Sequence, residues 1–467
     1  MANKKWFCLI CGFIYDEAKG WPDEGIPPGT AWEAVPDDWL CPECLVGKAD
    51  FEMVEMNEDQ AATCSSLLQN STASAVETKL LPVVIIGSGH SGYSLAVALR
   101  AQYPALPITI FTEDSGAIYS KPALSCALAA GKTATQLHQS TALEWEKKLN
   151  IRLYPHTQVR HIDRQNQRLE TSIGPCDYGR LVLATGASPI TPAIAGATPT
   201  FLSVNHLHDY ARFRQDIAGQ SHITILGDGL IGCEFAHDLA TSGFKVTVVG
   251  LGRWPMSTFL PQPVGVGLQN ALCDIGVTWH LNTTIVNAST SIDGSRRLTL
   301  SNGETLHTDR VLSATGLRPN VALAQQCNLN VQKGICVNRY GQTNDEAIFA
   351  LGDCAEYPCG WRPYIAPINQ AIPALVRSLT GTLTPIDLTP CPVIVKTPTA
   401  PLCFSTPLLP GEWRIEYHDN SIMALHYDDN DMLSGFALFG AGIQQQRNDW
   451  MTAVLHTSAR KYIEEER

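Results

Sequence analysis

The sequence predicts a multidomain fold: a small cysteine-rich domain, then α/β domains built on parallel sheets, then a small α+β domain. Three observations predict it. The pairs Cys8-x-x-Cys11 and Cys41-x-x-Cys44 lie within the first 44 residues. The Gly-x-Gly-x-x-Gly loops Gly87–Gly92 and Gly227–Gly232 each follow a short apolar strand. From Leu81 onward, Val/Ile-rich strands alternate with helical stretches, which is typical of parallel α/β domains.

The composition limits the class of protein. A chain of 467 residues is long enough for about three domains, and its apolar runs are too short to span a bilayer. The N-terminus lacks the apolar stretch of a signal peptide. Fifteen cysteines, an odd count that is largely scattered, favour reduced thiols. We therefore expect a cytoplasmic protein, and we take it to be a monomer.

The net charge of −12 is concentrated near the N-terminus. Residues 1–56 carry 11 acidic residues against 4 lysines, or −7, which leaves −5 for the rest of the chain. This acidity argues against nucleic acid as a partner, because phosphates require clusters of Lys and Arg. It suits either docking on a basic patch of a partner protein or a generic solubilising surface.

Changes in composition mark the domain boundaries. Residues 1–56 are rich in aromatic residues and turns, whereas residues 57–80 are rich in Ser, Thr and Ala and indicate a flexible linker. A linker of 24 residues reaches about 27 Å on average. Residues 381–467 contain several predicted strands and a helix from about Gln444, so they are predicted to form the α+β domain.

The two Cys-x-x-Cys pairs predict a metal site. Together they supply four thiolates to one tetrahedral ion, and both iron and zinc accept such a ligand set. The gap of residues 12–40 is longer than is typical of zinc ribbons. The segments Cys8–Asp16 and Pro36–Cys44 closely resemble a rubredoxin, and the likeness covers residues 4–55.

The resemblance to rubredoxins implies one iron ion that cycles between the ferric and ferrous states. Its four ligands are then Cys8, Cys11, Cys41 and Cys44. The chain departs from the family at Leu45, where rubredoxins usually carry glycine. An alternative from another functional class is a module with structural zinc that recruits the rest of the chain to a partner protein.

The first glycine loop predicts a dinucleotide site. It lies between the strand Val83–Ile86 and a predicted helix, Ser94–Arg100, whose N-terminus favours phosphate. Its glycines permit a tight turn, close approach of the backbone to a pyrophosphate, and close packing of the helix. The next strand ends at Glu113 and Asp114, and either carboxylate is placed to bind a ribose. The other candidate residues are Gly87, Gly89, His90, Ser91 and Gly92.

The second glycine loop follows the strand Ile223–Leu226 and predicts another dinucleotide site. The next strand, Lys245–Val249, ends in Gly250-Leu-Gly-Arg253 with no carboxylate, which weakens the case for NADH. Arg253 either accommodates the 2′-phosphate of NADPH or is a solvated loop residue. We expect NADH and leave NADPH open. The candidate residues are Gly227, Gly229, Leu230, Ile231 and Gly232.

Three later segments resemble the crossover and flavin motifs of the two-dinucleotide flavoprotein oxidoreductases, in which a nicotinamide domain is inserted into an FAD domain. The segments are Leu183–Ala187, Ala314–Pro319 and Ile348–Ala355. The resemblance implies that Asp353 binds the ribityl chain of FAD. The domains so implied are an FAD domain of residues 81–195 and 315–380 and an NAD(P)H domain of residues 196–314. The further FAD-binding candidates are Ala184, Thr185, Gly186, Gly316, Gly352 and Asp353.

Residues 80–440 are particularly similar to rubredoxin reductases, above all at Tyr119–Ser125 and Gly227–Glu234. The resemblance implies that Lys121, followed by Pro122, lies beside the flavin and pairs with Glu234. An ammonium group there would favour the negatively charged reduced ring. The alternative is that Lys121 and Glu234 are ordinary charges on helix surfaces.

The region after the first helix lacks the Cys-x-x-x-x-Cys motif of disulfide reductases and offers only Cys126. We therefore predict electron transfer from NAD(P)H through FAD to a rubredoxin iron on the same chain. An enzyme that reduces peroxide or disulfides through Cys126 is the competing hypothesis. Residues 16–22 and 38–40 resemble rubredoxins that serve alkane hydroxylases, which implies such an acceptor. A flavodiiron protein that reduces oxygen or nitric oxide is the alternative acceptor.

Overall fold

A computed structural model gives the fold of the chain. It describes residues 4–8, 14–22, 25–36, 39, 51–52, 81–196, 201–292 and 294–465. The predicted linker, residues 57–80, lies outside these ranges. The chain divides into two compact units. The first unit comprises Met1–Ser120, Ser140–Gly186 and Val321–Asp387, and the second comprises Lys121–Gln139, Ala187–Asn320 and Leu388–Arg467. The domain boundaries drawn from the sequence stay predictions.

The N-terminal part of the first unit is a small antiparallel sheet with an aromatic core. Strand Lys5–Cys8 lies between Ile14–Asp16 and Phe51–Glu52, and a 3₁₀ helix spans Trp32–Ala34. The Trp6 and Trp32 rings stack with centroids 4.9 Å apart. The Glu17 carboxylate accepts hydrogen bonds from Trp6 Nε1 at 2.8 Å and Trp32 N at 2.9 Å. Aromatic rings thus pack together among the described residues of this domain.

A parallel five-stranded sheet forms the centre of the first unit. Strand Val83–Ile86 is buried at every residue, as expected where elements cover both faces of a parallel sheet. Helix His90–Gln102 packs against helix Ile365–Leu379. It begins at His90 rather than at the predicted Ser94, because the glycine loop itself forms its N-cap. In sheet order the strands are Ile348–Ala350, Arg180–Leu183, Val83–Ile86, Ile108–Phe111 and Arg152–Tyr154.

Smaller elements complete the first unit. Two short helices span Ala142–Leu149 and Ala322–Gln326. One small sheet consists of Val159–Asp163, Arg168–Thr171 and Gly174–Asp177, and the other of Ile335–Cys336, Ala355–Tyr357 and Gly360–Trp361.

The second unit repeats the plan with a parallel four-stranded sheet. Its strands in order are Val277–His280, Lys245–Val249, His222–Leu226 and Arg310–Ser313. Its helices are Lys121–Ser125 (3₁₀), Ala134–Leu137, Leu207–Ile217, Leu230–Thr241 and Gln262–Asp274. Strands Ile285–Thr290, Arg296–Leu300 and Thr305–Thr308 form an antiparallel sheet, and Ala187–Pro189 pairs with Leu317–Pro319.

The C-terminal residues of the second unit form the predicted α+β domain. In sheet order its antiparallel strands are Val393–Val395, Leu402–Ser405, Leu433–Phe439, Ser421–Asp428 and Gly411–His418. A 3₁₀ helix, Ala441–Gln446, leads into helix Arg447–Glu465. Phe436 and Leu438 of the sheet pack with Met451 and Val454 of the helix in one core. The predicted fold class is confirmed. Among the described helices, none combines the length and apolarity that crossing a bilayer requires.

Candidate functional site

The first glycine loop has the geometry that a pyrophosphate cradle requires. Gly87 has φ +113°, and a Cβ atom added there would overlap the carbonyl oxygen of Ala184. A Cβ atom added at Gly92 would overlap the carbonyl oxygen of Gly87, so the helix packs against the loop without space for a side chain. Gly89, the N-cap, faces open space. The free N–H groups of helix His90–Gln102 are therefore open to a phosphate.

The second glycine loop has the same construction. Gly227 has φ +122° and lies against the carbonyl oxygen of Ala314, and Gly232 lies against that of Gly227. Gly229 is the N-cap of helix Leu230–Thr241 and again faces open space. Two loops 140 residues apart thus fold into equivalent cradles, each on its own parallel sheet. Both fit the pyrophosphate of a dinucleotide.

Further predicted FAD residues lie around the first loop. Gly352 has φ +84°, and a Cβ atom there would overlap Ser91 Oγ, so the Gly352 backbone lies against the loop. His90 Nε2 lies 2.9 Å from Asn369 Oδ1, and burial lowers the pKa of His90. Trp361 Nε1 donates to the carbonyl oxygen of Asp353 at 2.7 Å. The structure therefore brings Ser91 and Gly352 together, with Asp353 next in the chain, and their binding of FAD stays a prediction.

The remaining predicted residues are placed at strand ends. Glu113 and Asp114 are both exposed after strand Ile108–Phe111, and the structure does not favour one over the other as the ribose ligand. Ser88 Oγ donates to Thr112 Oγ1 at 2.9 Å, which ties this strand end to the glycine loop. The other predicted residues, Ala184, Thr185, Gly186 and Gly316, follow the strands Arg180–Leu183 and Arg310–Ser313.

Glu234 is the most deeply buried charge among the predicted site residues. It lies in helix Leu230–Thr241 with 0% of its surface exposed, so the alternative that it is a helix-surface charge is wrong. Its Oε2 accepts hydrogen bonds from Ser125 Oγ and from Lys396 Nζ, both at 2.6 Å. Its Oε1 accepts the backbone N–H of Lys396 at 3.0 Å. A buried carboxylate needs such partners, because solvent cannot stabilise its charge.

Sequence reasoning assigned no role to Lys396 or Ser125. Lys396 directly follows the apolar strand Val393–Val395, and a lone lysine in that position was the available signal. Its side chain is only 7% exposed. Lys121 begins the 3₁₀ helix that ends at Ser125. The pairing of Lys121 with Glu234 stays a prediction.

Asp238 lies one helical turn beyond Glu234. Like Glu234, it binds the chain segment that follows Lys121. Its carboxylate accepts hydrogen bonds from Leu128 N at 3.1 Å and Ala129 N at 2.8 Å. Tyr210 Oη donates to the carbonyl oxygen of Lys132 at 2.9 Å. Burial raises the pKa of Asp238 to about 7. The segment that carries Lys121 is thus fixed to the second unit at several points.

The raised pKa of Asp238 predicts a pH-dependent stability. Between its usual value of 3.8 and about 7 the folded chain binds a proton that the unfolded chain releases. The free energy of unfolding should therefore fall as pH rises through this window, by at most about 1.4 kcal/mol per pH unit from this group. Asp238→Asn should remove this decline, so the stability of the variant relative to wild type should rise from pH 4 to 7 in urea titrations.

Asp309→Asn is the matched control for this pH effect. The Asp309 carboxylate accepts backbone N–H groups of Ser221 and His222, which lowers its pKa. Its stabilisation is present above its usual pKa of 3.8 and is lost as pH falls through the lowered folded value. The stability of Asp309→Asn relative to wild type should therefore stay flat from pH 4 to 7 and should rise only as pH falls below about 4. A flat difference between wild type and Asp238→Asn would contradict the buried-carboxyl account.

Cys126 is a poor redox thiol. Burial raises its pKa to about 12, with Lys396 acting in the opposite direction and Asp238 reinforcing the rise. The thiolate is the nucleophilic form, so a thiol that stays protonated at neutral pH is unreactive. The raised pKa of Cys126 therefore disfavours the competing hypothesis of a thiol-based reductase.

The predicted metal ligands lie almost entirely outside the described residues. Cys8 ends strand Lys5–Cys8, and its side chain, like Cys11, Cys41 and Cys44, is not described. Within the described ranges, His, Cys, Asp and Glu side chains form no cluster suited to a metal ion. The four-cysteine site stays a prediction from the sequence.

Comparisons with known proteins address each region of the chain. A family model described as pyridine nucleotide-disulphide oxidoreductase matches residues 81–375. A rubredoxin model matches residues 5–51, and a model described as rubredoxin binding C-terminal domain matches residues 385–454.

Similar curated proteins carry two kinds of name. The chain is 37% identical over 369 residues to a rubredoxin-NAD(+) reductase of Alcanivorax borkumensis, covering 78% of this chain and 96% of that protein. It is also 37% identical over 361 residues to a nitric oxide reductase FlRd-NAD(+) reductase of Aeromonas hydrophila, covering 77% and 92%.

A solved structure is similar over most of its length. The ferredoxin reductase of the CYP199A2 system from Rhodopseudomonas palustris aligns with a TM-score of 0.71 at 25% identity, covering 77% of this chain and 91% of that one. The chain therefore belongs to the pyridine nucleotide-disulphide oxidoreductase family, within its rubredoxin reductases, and carries a rubredoxin domain on the same polypeptide.

Proposed function

We propose that the chain is an FAD-dependent NAD(P)H:rubredoxin oxidoreductase whose electron acceptor is its own rubredoxin domain. The observation that carries this proposal is the pair of equivalent glycine cradles on one chain with that domain. FAD supplies the ability to exchange two electrons with a nicotinamide and single electrons with a metal. The first cradle is assigned to FAD and the second to the nicotinamide nucleotide.

The residues of the chain bind and position these groups. Gly89 and Gly229 leave two helix N-termini open to the pyrophosphates, where the helix dipole favours negative charge. Asp353 is assigned to the ribityl chain. The Ser125–Glu234–Lys396 cluster is assigned to holding the segment that carries Lys121, which we place beside the flavin ring with the role of favouring its reduced form.

We assign the electron exit to the rubredoxin domain rather than to a thiol. Cys126 is half-buried, and desolvation raises the pKa of its thiol to about 12, which disfavours it as a thiol carrier. The iron is proposed to be held by Cys8, Cys11, Cys41 and Cys44. Residues 57–80, which the sequence predicts to be a flexible linker, would make the transfer intramolecular, with effective concentrations of the order of mM. Docking should be transient, since the domain must also reach a second protein.

The terminal acceptor is a redox partner protein. The rubredoxin segment favours an alkane hydroxylase by its resemblance to rubredoxins that serve such enzymes. The name of the Aeromonas hydrophila relative favours a nitric oxide reductase, in line with the flavodiiron alternative. We propose the alkane hydroxylase as the first candidate, and we propose that the protein is a cytoplasmic monomer.

Anaerobic stopped-flow spectroscopy tests the proposed function. On mixing with NADH, and separately with NADPH, the flavin absorbance should bleach first and the red ferric absorbance should follow. The rate of iron reduction should not depend on protein concentration, because both centres are on one chain. A rate that rises linearly with concentration would contradict intramolecular transfer. Iron that stays ferric after the flavin is reduced would contradict the function, and a colourless N-terminal domain would favour zinc.

A further inference from the structure

The second cradle lacks an expected group. In dinucleotide-binding folds, a carboxylate at the end of the second strand binds the adenosine ribose of NAD, and a nearby Arg accommodates the 2′-phosphate of NADP. Here strand Lys245–Val249 ends in Gly250-Leu-Gly-Arg253. The strand end by itself therefore weakens the case for NADH without establishing NADPH.

The structure places a carboxylate at this strand end from another element. Asp228, the second residue of the glycine loop, extends to the loop after Val249, where its Oδ2 accepts the Gly252 N–H at 2.9 Å. The backbone carbonyl oxygen of Asp228 accepts the Met256 N–H at 2.8 Å. The carboxylate is thus held by the loop that normally carries the ribose ligand.

The two glycines of that loop make room for the Asp228 side chain. A Cβ atom added at Gly250 would overlap Asp228 Cγ, and one added at Gly252 would overlap Asp228 Oδ2. Neither glycine has a positive φ, so backbone conformation is not what requires them. A strand-end carboxylate at either position and the Asp228 carboxylate would compete for the same space. The glycines and Asp228 therefore form one matched arrangement.

The environment of Asp228 suits a hydroxyl donor and disfavours an anion. The residue is only partly exposed beside the open space over Gly229, and burial raises the pKa of its carboxyl group. A ribose diol would donate hydrogen bonds to the remaining lone pairs of the carboxylate. A 2′-phosphate would bring at least one further negative charge into a partly desolvated site, where like charges repel strongly.

We propose that Asp228 supplies the missing ribose carboxylate and makes the second cradle selective for NADH over NADPH. Arg253 is exposed and is assigned no part in this selectivity. This inference rests on the proposed nicotinamide-dependent function and adds to it the residue that determines nucleotide specificity.

Equilibrium binding to the full-length, FAD-loaded protein tests the inference. The probes are ADP-ribose and 2′-phospho-ADP-ribose, measured by titration calorimetry without any turnover. Wild type should bind ADP-ribose at least about tenfold more tightly than the phosphorylated probe. Asp228→Asn should weaken ADP-ribose binding and strengthen 2′-phospho-ADP-ribose binding, each by roughly tenfold, because it removes the charge.

Two controls keep the result interpretable. Asn retains a carbonyl oxygen for the Gly252 N–H, so FAD content and thermal unfolding should match wild type. Arg253→Ala should leave both affinities unchanged, and a selective loss of the phosphorylated probe in this variant would overturn the inference. So would a wild type that prefers 2′-phospho-ADP-ribose, or an Asp228→Asn variant with unaltered selectivity. A wild type that binds neither probe would overturn the proposed function as well.

Discussion

Replacing Glu234 with alanine is expected to destabilise the second unit by about 3–5 kcal/mol. The change leaves the Lys396 ammonium group in the interior without the carboxylate that lies 2.6 Å from it. It also removes the acceptor of Ser125 Oγ and of the Lys396 backbone N–H. Because typical domains are stable by only about 5–15 kcal/mol, the loss should be visible as a large downward shift in the urea midpoint.

A double-mutant cycle separates the ion pair from general damage to the helix. The single variants Glu234→Leu and Lys396→Met and their combination remove one or both charges at similar volume. If the pair is as described, the double variant should be clearly more stable than the sum of the single effects allows. Strict additivity would contradict a direct interaction. The same cycle with Lys121→Met in place of Lys396→Met tests the pairing that the sequence predicts for Glu234.

Replacing Cys41 with serine is expected to separate the two steps of the proposed electron transfer, which are reduction of the flavin and reduction of the iron. Loss of one of the four thiolates should abolish the red colour and remove the iron. Loss of an outer-shell partner of a metal site lowers activity roughly 10–100-fold. Loss of a direct ligand should therefore lower the rate of reduction of the terminal acceptor by more than that. Flavin reduction by NADH should be unchanged, because the glycine cradles lie elsewhere in the sequence. Metal analysis and single-turnover flavin bleaching measure the two effects.

Cys273→Ser is the matched control for the cysteine experiment. Cys273 is exposed in helix Gln262–Asp274 of the second unit and belongs to neither Cys-x-x-Cys pair. Its replacement should leave iron content, flavin reduction and acceptor reduction as in wild type. Should Cys41→Ser retain full acceptor reduction, the electrons must reach the acceptor without the rubredoxin iron, and the proposed path of electron transfer is wrong.

The parts of the fold that the sequence predicted are those with a local cause. Strands Val83–Ile86 and Lys245–Val249 have the predicted bounds, and the first helix starts only four residues earlier than predicted. A glycine loop between an apolar strand and a helix is specified within about a dozen neighbouring residues. Its turn needs φ values that only glycine adopts readily, so the pattern can be recognised without any knowledge of the tertiary structure.

The side-chain partners at the centre of the candidate site could not be predicted from the local sequence in this way. Sequence reasoning singled out Glu234 but not its partners Ser125 and Lys396, and the predicted pairing with Lys121 stays a prediction. Ser125 and Lys396 lie 109 and 162 positions away along the chain. Asp238 is joined to Leu128 and Ala129 over similar separations. No local periodicity encodes such pairs, because they depend on how a helix, a 3₁₀ turn and a sheet dock.

By itself, then, the sequence determined the order of the regions that the family models match and the two cradles, and it predicted the four-cysteine site. Each depends on short-range geometry or on residue chemistry at fixed spacing. Only the tertiary structure decided which charges meet in the interior and which carboxylate stands at the second cradle. Asp228 illustrates the difference. The strand that should carry the carboxylate ends in glycines, because the side chain of Asp228 occupies the space that a carboxylate there would need. Two segments separated by more than 20 residues share one volume, and a single side chain can fill it.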